Sequence, residues 1–169
     1  MTVTYRDATP ADLPAVDALF RESFVATFGD LYAPDDLATF MAGFTPEAWR
    51  KELASGGHAI RLAERDGELL GFAKVADPTL PVMPAGPALE LRQLYLAEAA
   101  KGTGIAAELM EWVLAEGRRR GCGELFLSVY IDNHRARRFY ERYGFRDIGP
   151  YRFMVGGHAD EDRLMRLAL

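Results

Sequence analysis

The spacing of apolar positions changes period several times along the chain, and each change marks an element. "TVTYRDA" (2–8) alternates as a half-buried strand does. Thr9-Pro10-Ala11-Asp12 then offers an N-cap, a proline at the first helical position and an acid in the first turn. Leu13, Val16, Ala18, Leu19 and Phe20 follow as one face of a helix. The stretch from Phe24 to Gly57 predicts one or two further helical pieces, broken at Gly29 and Pro34 and ended by Gly56-Gly57. "HAIRLAERDGELLGFAKV" (58–75) predicts a hairpin, with Asp66-Gly67 supplying the positive φ angles of its tight turn.

"DPTLPVMPAGPA" (77–88) carries Pro78, Pro81, Pro84 and Pro87, which forbid a helix and a central strand and predict a stiff extended loop. In "ALELRQLYL" (88–96) the apolar phase slips, from Leu89 and Leu91 to Leu94 and Leu96. A β-bulge produces such a slip, and so does a strand buried on both faces. A helix follows from Ile105 to Gly121, with Ile105, Leu109, Trp112 and Val113 inward and Arg118, Arg119 and Arg120 capping and solvating its last turn. "GELFLSVYI" (123–131) is a strand. Asn133 caps a short helix, "HRARRFYERY", with Ala136, Phe139, Tyr140 and Tyr143 apolar and Gly144 as its stop. The tail from Tyr151 predicts two strands around a glycine-rich turn.

Composition narrows the function classes. The 169 residues fit one domain, 1–169. A net charge of −5 and a pI near 5.3 weigh against nucleic acid and suit a cationic substrate. Cys122 is the lone cysteine, so neither an intrachain disulfide nor a cysteine zinc site can form, and His58, His134 and His158 lack metal-ligand spacing. No metal is expected. No signal peptide or membrane-length apolar run is evident, which makes the cytoplasm the expected compartment.

The candidate chemistry centres on "KGTGIAA" (101–107). Glycines at a helix start bring unpaired N–H groups and the positive end of the helix dipole close to an anion. A Walker A loop is excluded, because no Gly-Lys-Ser/Thr follows. Gly102, Gly104 and Ala107 satisfy G-x-G-x-x-A, with Glu124 as a candidate ribose ligand, but Ala97 to Lys101 intervene where that fingerprint follows its strand directly. Lys101-Gly102-Thr103-Gly104-Ile105-Ala106 instead resembles the (Gln/Arg)-x-x-Gly-x-(Gly/Ala) loop of the GCN5-related N-acetyltransferase (GNAT) superfamily. "NHRARRFYERYGF" is similar to that superfamily's Asn-x-x-Ala-x-x-(Phe/Leu)-Tyr-x-x-x-Gly-Phe signature. Together with "LELRQLYL" these cover residues 88–146. Lys101 departs from Gln or Arg, keeping a positive charge without the planar fork.

The resemblance implies an α/β (α+β) fold: a mixed, mostly antiparallel seven-stranded sheet flanked by helices, splayed around an acetyl-CoA site. It implies that Lys101, Gly102, Thr103, Gly104, Ile105 and Ala106 hold the pyrophosphate of acetyl-CoA. Leu94, Tyr95 and Leu96 would pair with the pantetheine arm, Asn133 would touch it, and the N–H of Leu96 or its neighbour would face the oxyanion. Glu90 matches the superfamily's base position and Tyr140 its general acid. Cys122 has no paired histidine, so direct transfer in a ternary complex is expected.

More narrowly, "ESFVATFGDLYAPDDLATFM" and "RFMVGGHADEDRLM" resemble bacterial polyamine acetyltransferases of the spermine/spermidine type. That implies a small primary amine as acceptor, walled by Glu22, Asp30, Asp35, Asp36 and Tyr32, with the proline-rich loop as the opposite rim. A protein or peptide N-acetyltransferase and a catalytically silent acyl-CoA-binding module stand as the alternatives. The expected assembly is a monomer or homodimer.

Overall fold

The structure, a computed structural model, describes residues 2–169. Strand β1 (Thr4–Asp7) leads through a 3₁₀ turn into α1 (Leu13–Phe28), α2 (Pro34–Ala42) and α3 (Pro46–Ala54). Strands β2 (Ala59–Arg65), β3 (Glu68–Ala76) and β4 (Ala88–Leu96) come next. They are followed by α4 (Ile105–Arg119), β5 (Glu124–Tyr130), α5 (His134–Arg142), β6 (Arg146–Val155) and β7 (His158–Ala168). The seven strands form one sheet in the order β1-β2-β3-β4-β5-β7-β6, and only β4 and β5 run parallel. The expected fold class is therefore the observed one.

Local differences from the sequence reading have local causes. The helix that starts at Leu13 runs unbroken to Phe28, so Phe24 belongs to α1. The break between α2 and α3 lies at Gly43 to Thr45, where Thr45 Oγ1 accepts the Ala48 N–H at 3.0 Å and Pro46 opens the next helix. β6 begins at Arg146, earlier than Tyr151, and carries Pro150. A proline is tolerated there because β6 is the outermost strand and pairs only with β7. Trp112 sits half-buried at the flank of α4, while Met110 and Leu114 join Ile105, Leu109 and Val113 inside.

The sheet separates two apolar layers. On one face α4 packs Leu109, Met110 and Val113 against Leu89, Leu125 and Met165, with Phe139, Tyr140 and Tyr143 of α5 at the margin. On the other, α1, α2 and α3 bury Phe20, Phe24, Met41 and Trp49 over Ile60, Leu62 and Phe72. Asp17 joins α1 to α3 by accepting the Trp49 indole N–H at 2.8 Å.

The phase slip in β4 is a bulge. Lys74 pairs with Gln93 and Val75 with Leu91, which leaves Arg92 as the extra residue. The first half of the strand is also buried on both faces, since Leu89, Glu90 and Leu91 are all inside. β4 and β5 pair only at Ala88–Glu124, Leu89–Leu125 and Glu90–Phe126, and beyond that point they part.

The second layer is closed over the sheet by the turn between β6 and β7. Gly156 has φ +57°, and a Cβ there would lie 2.6 Å from Asp36 Cα, while Gly157 N–H donates to Asp36 Oδ1 at 2.8 Å. No flexible atom can yield at that contact, because the obstacle is the backbone of α2. Gly156→Ala is expected to cost about 2 kcal/mol, a fall in Tm of roughly 4–8 °C by calorimetry. An unchanged Tm would show that α2 is not seated on this turn.

Candidate active site

The parting of β4 from β5 opens a cavity of about 820 Å³ that reaches from one apolar layer into the other. Backbone geometry sets its middle. Ala97 N–H donates to Leu70 O of β3 at 2.8 Å, so the two-residue repeat turns the N–H groups of Leu96 and Leu94 away from β3 and toward the split. Leu96 O accepts from Ser23 Oγ of α1 at 3.1 Å, which ties that strand end to the helix. Leu94, Tyr95 and Leu96 all line the cavity. Of the two N–H groups the resemblance offered, Leu96 or its neighbour, that of Ala97 is already committed to β3.

The glycine stretch lies at the cavity's α4 side. Gly102 and Gly104 have φ +75° and +88°, and a Cβ built on either meets nothing within 4 Å. Gly104 is the N-cap of α4 and no side chain caps the helix, so its first N–H groups face open space. Lys101, Gly102, Gly104 and Ala106 line the cavity. The side chains of Thr103 and Ile105 do not: the Thr103 hydroxyl donates to Ala100 O, and Ile105 is buried in the core. Lys101 Nζ lies 2.6 Å from Glu98 Oε2. Lys101 and, more weakly, Arg135 of α5 pull the Glu98 carboxyl below its ordinary range. Arg135 and Arg138 line the same cavity, so this face gathers cations that sequence reading did not single out.

Helix α5 brings in two of the expected side chains. Asn133 Oδ1 accepts the Ala136 N–H at 3.3 Å, as a cap should, and the residue also lines the cavity. Tyr140 lines it too, packed edge-on to Phe139 and Phe145. Burial holds the Tyr140 phenol well above its usual range, so the hydroxyl keeps its proton at neutral pH.

Glu90 sits where β4 and β5 make their last contact, and only 5% of it is exposed. Its Oε2 accepts the N–H groups of Thr79 at 2.7 Å and Leu80 at 3.3 Å, both in the proline-rich segment. Arg92 Nε lies 3.1 Å from Oε1, an ion-pair distance without hydrogen-bond alignment. Nearby, Lys74 is 4% exposed, with Nζ 2.7 Å from Glu52 Oε2 and 4.5 Å above the Trp49 ring. Burial pulls the Lys74 ammonium below its ordinary value against the pull of Glu52. A lysine inside the apolar run "LLGFAKVA" is the signal that marks this pair in the sequence.

The acids expected around the acceptor are elsewhere. Glu22, Asp30 and Asp35 are exposed, and none of these or Asp36 lines the cavity. Tyr32 does line it, and its hydroxyl donates to Asp160. Asp160 and Asp162, each 5% exposed, are the acids on that wall. Their i, i+2 spacing on β7 puts both on one face, which is the legible mark of them in "HADEDRLM".

This arrangement fits a long carrier with an anionic diphosphate at one end. An uncapped helix start, open glycines and cations stand on one face, and free backbone donors stand in the split. The comparisons agree with it. The sequence profile of the acetyltransferase (GNAT) family matches residues 14–145. An uncharacterized N-acetyltransferase of Mycobacterium tuberculosis is 31% identical over 155 residues, covering 91% of this chain and 96% of its own. One from Lactobacillus delbrueckii is 29% identical over 160 residues, covering 94% and 92%. In fold, the PaiA N-acetyltransferase of Thermoplasma acidophilum, solved in complex with coenzyme A, superposes with a TM-score of 0.80 at 20% identity and full coverage of both chains. The chain belongs to the GNAT family. It is an acetyl-CoA-dependent N-acetyltransferase. Among the described residues no helix is long and apolar enough to cross a membrane, and no three His, Cys, Asp or Glu side chains are grouped to hold a metal ion.

The Glu90 carboxylate accepts the N–H groups of both Thr79 and Leu80. Two hydrogen bonds to a charged acceptor are worth about 1.5–3 kcal/mol each. Glu90→Ala is therefore expected to speed cleavage between Asp77 and Ala88 by a broad-specificity protease at least tenfold. Unchanged cleavage would show that this contact does not hold the loop.

Proposed function

We propose that residues 1–169 act as a single domain that transfers an acetyl group to a primary amine of a small, cationic acceptor, a polyamine such as spermidine being the reading favoured. Transfer is direct, in a ternary complex. The observation that carries it is where the cavity's charges stand: Lys101, Arg135 and Arg138 by α4 and α5, Asp160 and Asp162 on β7 beside Tyr32, with Lys74 and Arg92 each already facing a carboxylate, Glu52 and Glu90. An anionic cosubstrate and a cationic acceptor are thus drawn to opposite sides of one opening. The acceptor side is walled, because Phe40 of α2 packs on Phe153 of β6 at 5.7 Å and Gly157 is bonded to Asp36. A walled acidic pocket suits a small amine better than a peptide chain.

When bound, acetyl-CoA supplies an acyl carbon activated as a thioester. The chain's residues do the rest. N–H groups around Gly102, Gly104, Ile105 and Ala106, with Lys101 and Thr103 on the same turn, hold the diphosphate. Leu94, Tyr95 and Leu96 align the pantetheine arm as a neighbouring strand would, Asn133 flanks it, and Leu96 N–H faces the carbonyl oxygen. Tyr140 keeps its proton at Oη and delivers it toward the departing sulfur. Glu90, which the sequence offers as the base, we assign to holding the rim loop and to setting where β4 leaves β5. Its Oε2 already accepts two N–H groups, and the Arg92 guanidinium stands beside Oε1.

The test is free-CoA release across a panel of polyamines, monoamines and peptides, with calorimetry of acetyl-CoA and NAD side by side. Turnover should be highest with polyamines, and NAD should give no heat. Gly104→Ala is expected to weaken acetyl-CoA binding roughly tenfold, because a Cβ enters the open space before α4 that the diphosphate would approach. Tyr140→Phe is expected to lower kcat at least a hundredfold with little change in the amine KM. No CoA release from any amine, or equal heat from NAD, would contradict the reading.

A further inference from the structure

The site as described has no proton acceptor for the amine. We propose that Asp162 binds the acceptor's ammonium and takes its proton, with Asp160, held by Tyr32, beside it. The proposal rests on the amine-transferase reading above.

The placement comes first. Asp162 is nine-tenths buried in an otherwise aromatic wall, lines the reaction cavity, and faces the layer that closes over the acceptor side. A carboxylate in that setting needs a cation or a proton. Among the described residues no lysine or arginine is paired with it. The groups around it are Asp160 on its own strand, Ser128 and Tyr130 from β5, its register partner Tyr151 from β6, Tyr32 after α1, and Tyr95 from β4. His158 lies 3.2 Å from the far side of the cluster, on Asp160 Oδ1. Across the same cavity Gln93, also nine-tenths buried, points an Oε1 with no hydrogen-bond partner. An acceptor without a donor on one wall and a buried carboxylate without a cation on the other suit a ligand rich in N–H, and an ammonium offers three.

The two aspartates divide the work by their partners. Asp160 is engaged by the Tyr32 hydroxyl and by His158. Asp162 is left with Ser128, and its carboxyl is pushed up to about 7, first by burial and then by the charge of Asp160, while Ser128 pulls the other way. It therefore holds a proton far more tightly than an ordinary aspartate. That suits a group which must take a proton from an alkylammonium and then give it up to water.

The balance is complete with the residues named. One proton passes from the ammonium to Asp162 and from there to solvent. The neutral nitrogen then forms its C–N bond as the C–S bond breaks, and the second N–H proton leaves toward the sulfur, where Tyr140 stands.

The test is the pH profile of kcat/KM for spermidine from pH 6 to 9 by thiol release, with acetyl-CoA affinity measured by calorimetry on each variant. Activity should rise with pH through about 7, as Asp162 loses its proton. Asp162→Asn should lose at least a hundredfold in kcat with acetyl-CoA affinity unchanged. Asp160→Asn removes a neighbouring charge and should move the acid limb to lower pH. Ser128→Ala removes the opposing hydrogen bond and should move it to higher pH. Opposite displacements cannot come from misfolding, so these two variants decide the matter even if Asp162→Asn is unstable. An acid limb that stays put in both, or an Asp162→Asn enzyme with wild-type kcat, overturns the proposal and leaves the transferase reading standing. Wild-type protein that binds acetyl-CoA but acetylates no amine overturns that reading and the proposal together.

Discussion

Everything in the site follows from two parallel strands that pair for three residues and then separate. β4 and β5 meet from Ala88 to Glu90, and each has another neighbour, β3 or β7, to hold it once they part. The bulge at Arg92 bends β4, and Glu90 is pinned at the point of departure by the rim loop. Sheets rarely leave backbone groups open in their interior, because each unpaired buried N–H is costly. In the function proposed above, the cost would be met when a ligand supplies the missing strand.

The separation also explains why the two layers differ. On the α4–α5 face the opening adjoins a helix start and a set of cations; on the α1–α2 face it adjoins aromatic rings and two aspartates. A compact sheet would keep these surfaces apart. Split, it lets residues from both layers line one cavity. The buried Lys74–Glu52 pair ties α3 to β3 beside the cavity. Its stability value is small once desolvation is counted, so its effect lies in fixing the position of α3.

Much of this was legible in the chain. The helix starts at Thr9 and Asn133, the Asp66-Gly67 turn and the glycine stretch all follow from short-range chemistry, and the structure has them where expected. The slip in β4 was visible, but its cause was not, since a bulge and two-sided burial give the same pattern and the strand has both. The acids of the cavity wall were not legible. Asp30, Asp35 and Asp36 cluster near the first helices in sequence, whereas the acids that reach the cavity, Asp160 and Asp162, come from the far end of the chain through β7. Which of two acidic segments faces inward is a matter of sheet register, and local pattern does not carry register between distant strands. Arg135 and Arg138 escaped for a related reason: on a short, strongly basic helix nothing local says which arginines turn toward Lys101.

The central claim is that the open edges of the split are the cosubstrate's binding surface. Amide hydrogen exchange read residue by residue, with and without acetyl-CoA, tests it most directly. Exchange should slow at Leu94, Leu96 and the first turn of α4, with little change in β1, β2 and the β6–β7 turn. Protection confined to other elements, or none at saturating acetyl-CoA, would contradict it.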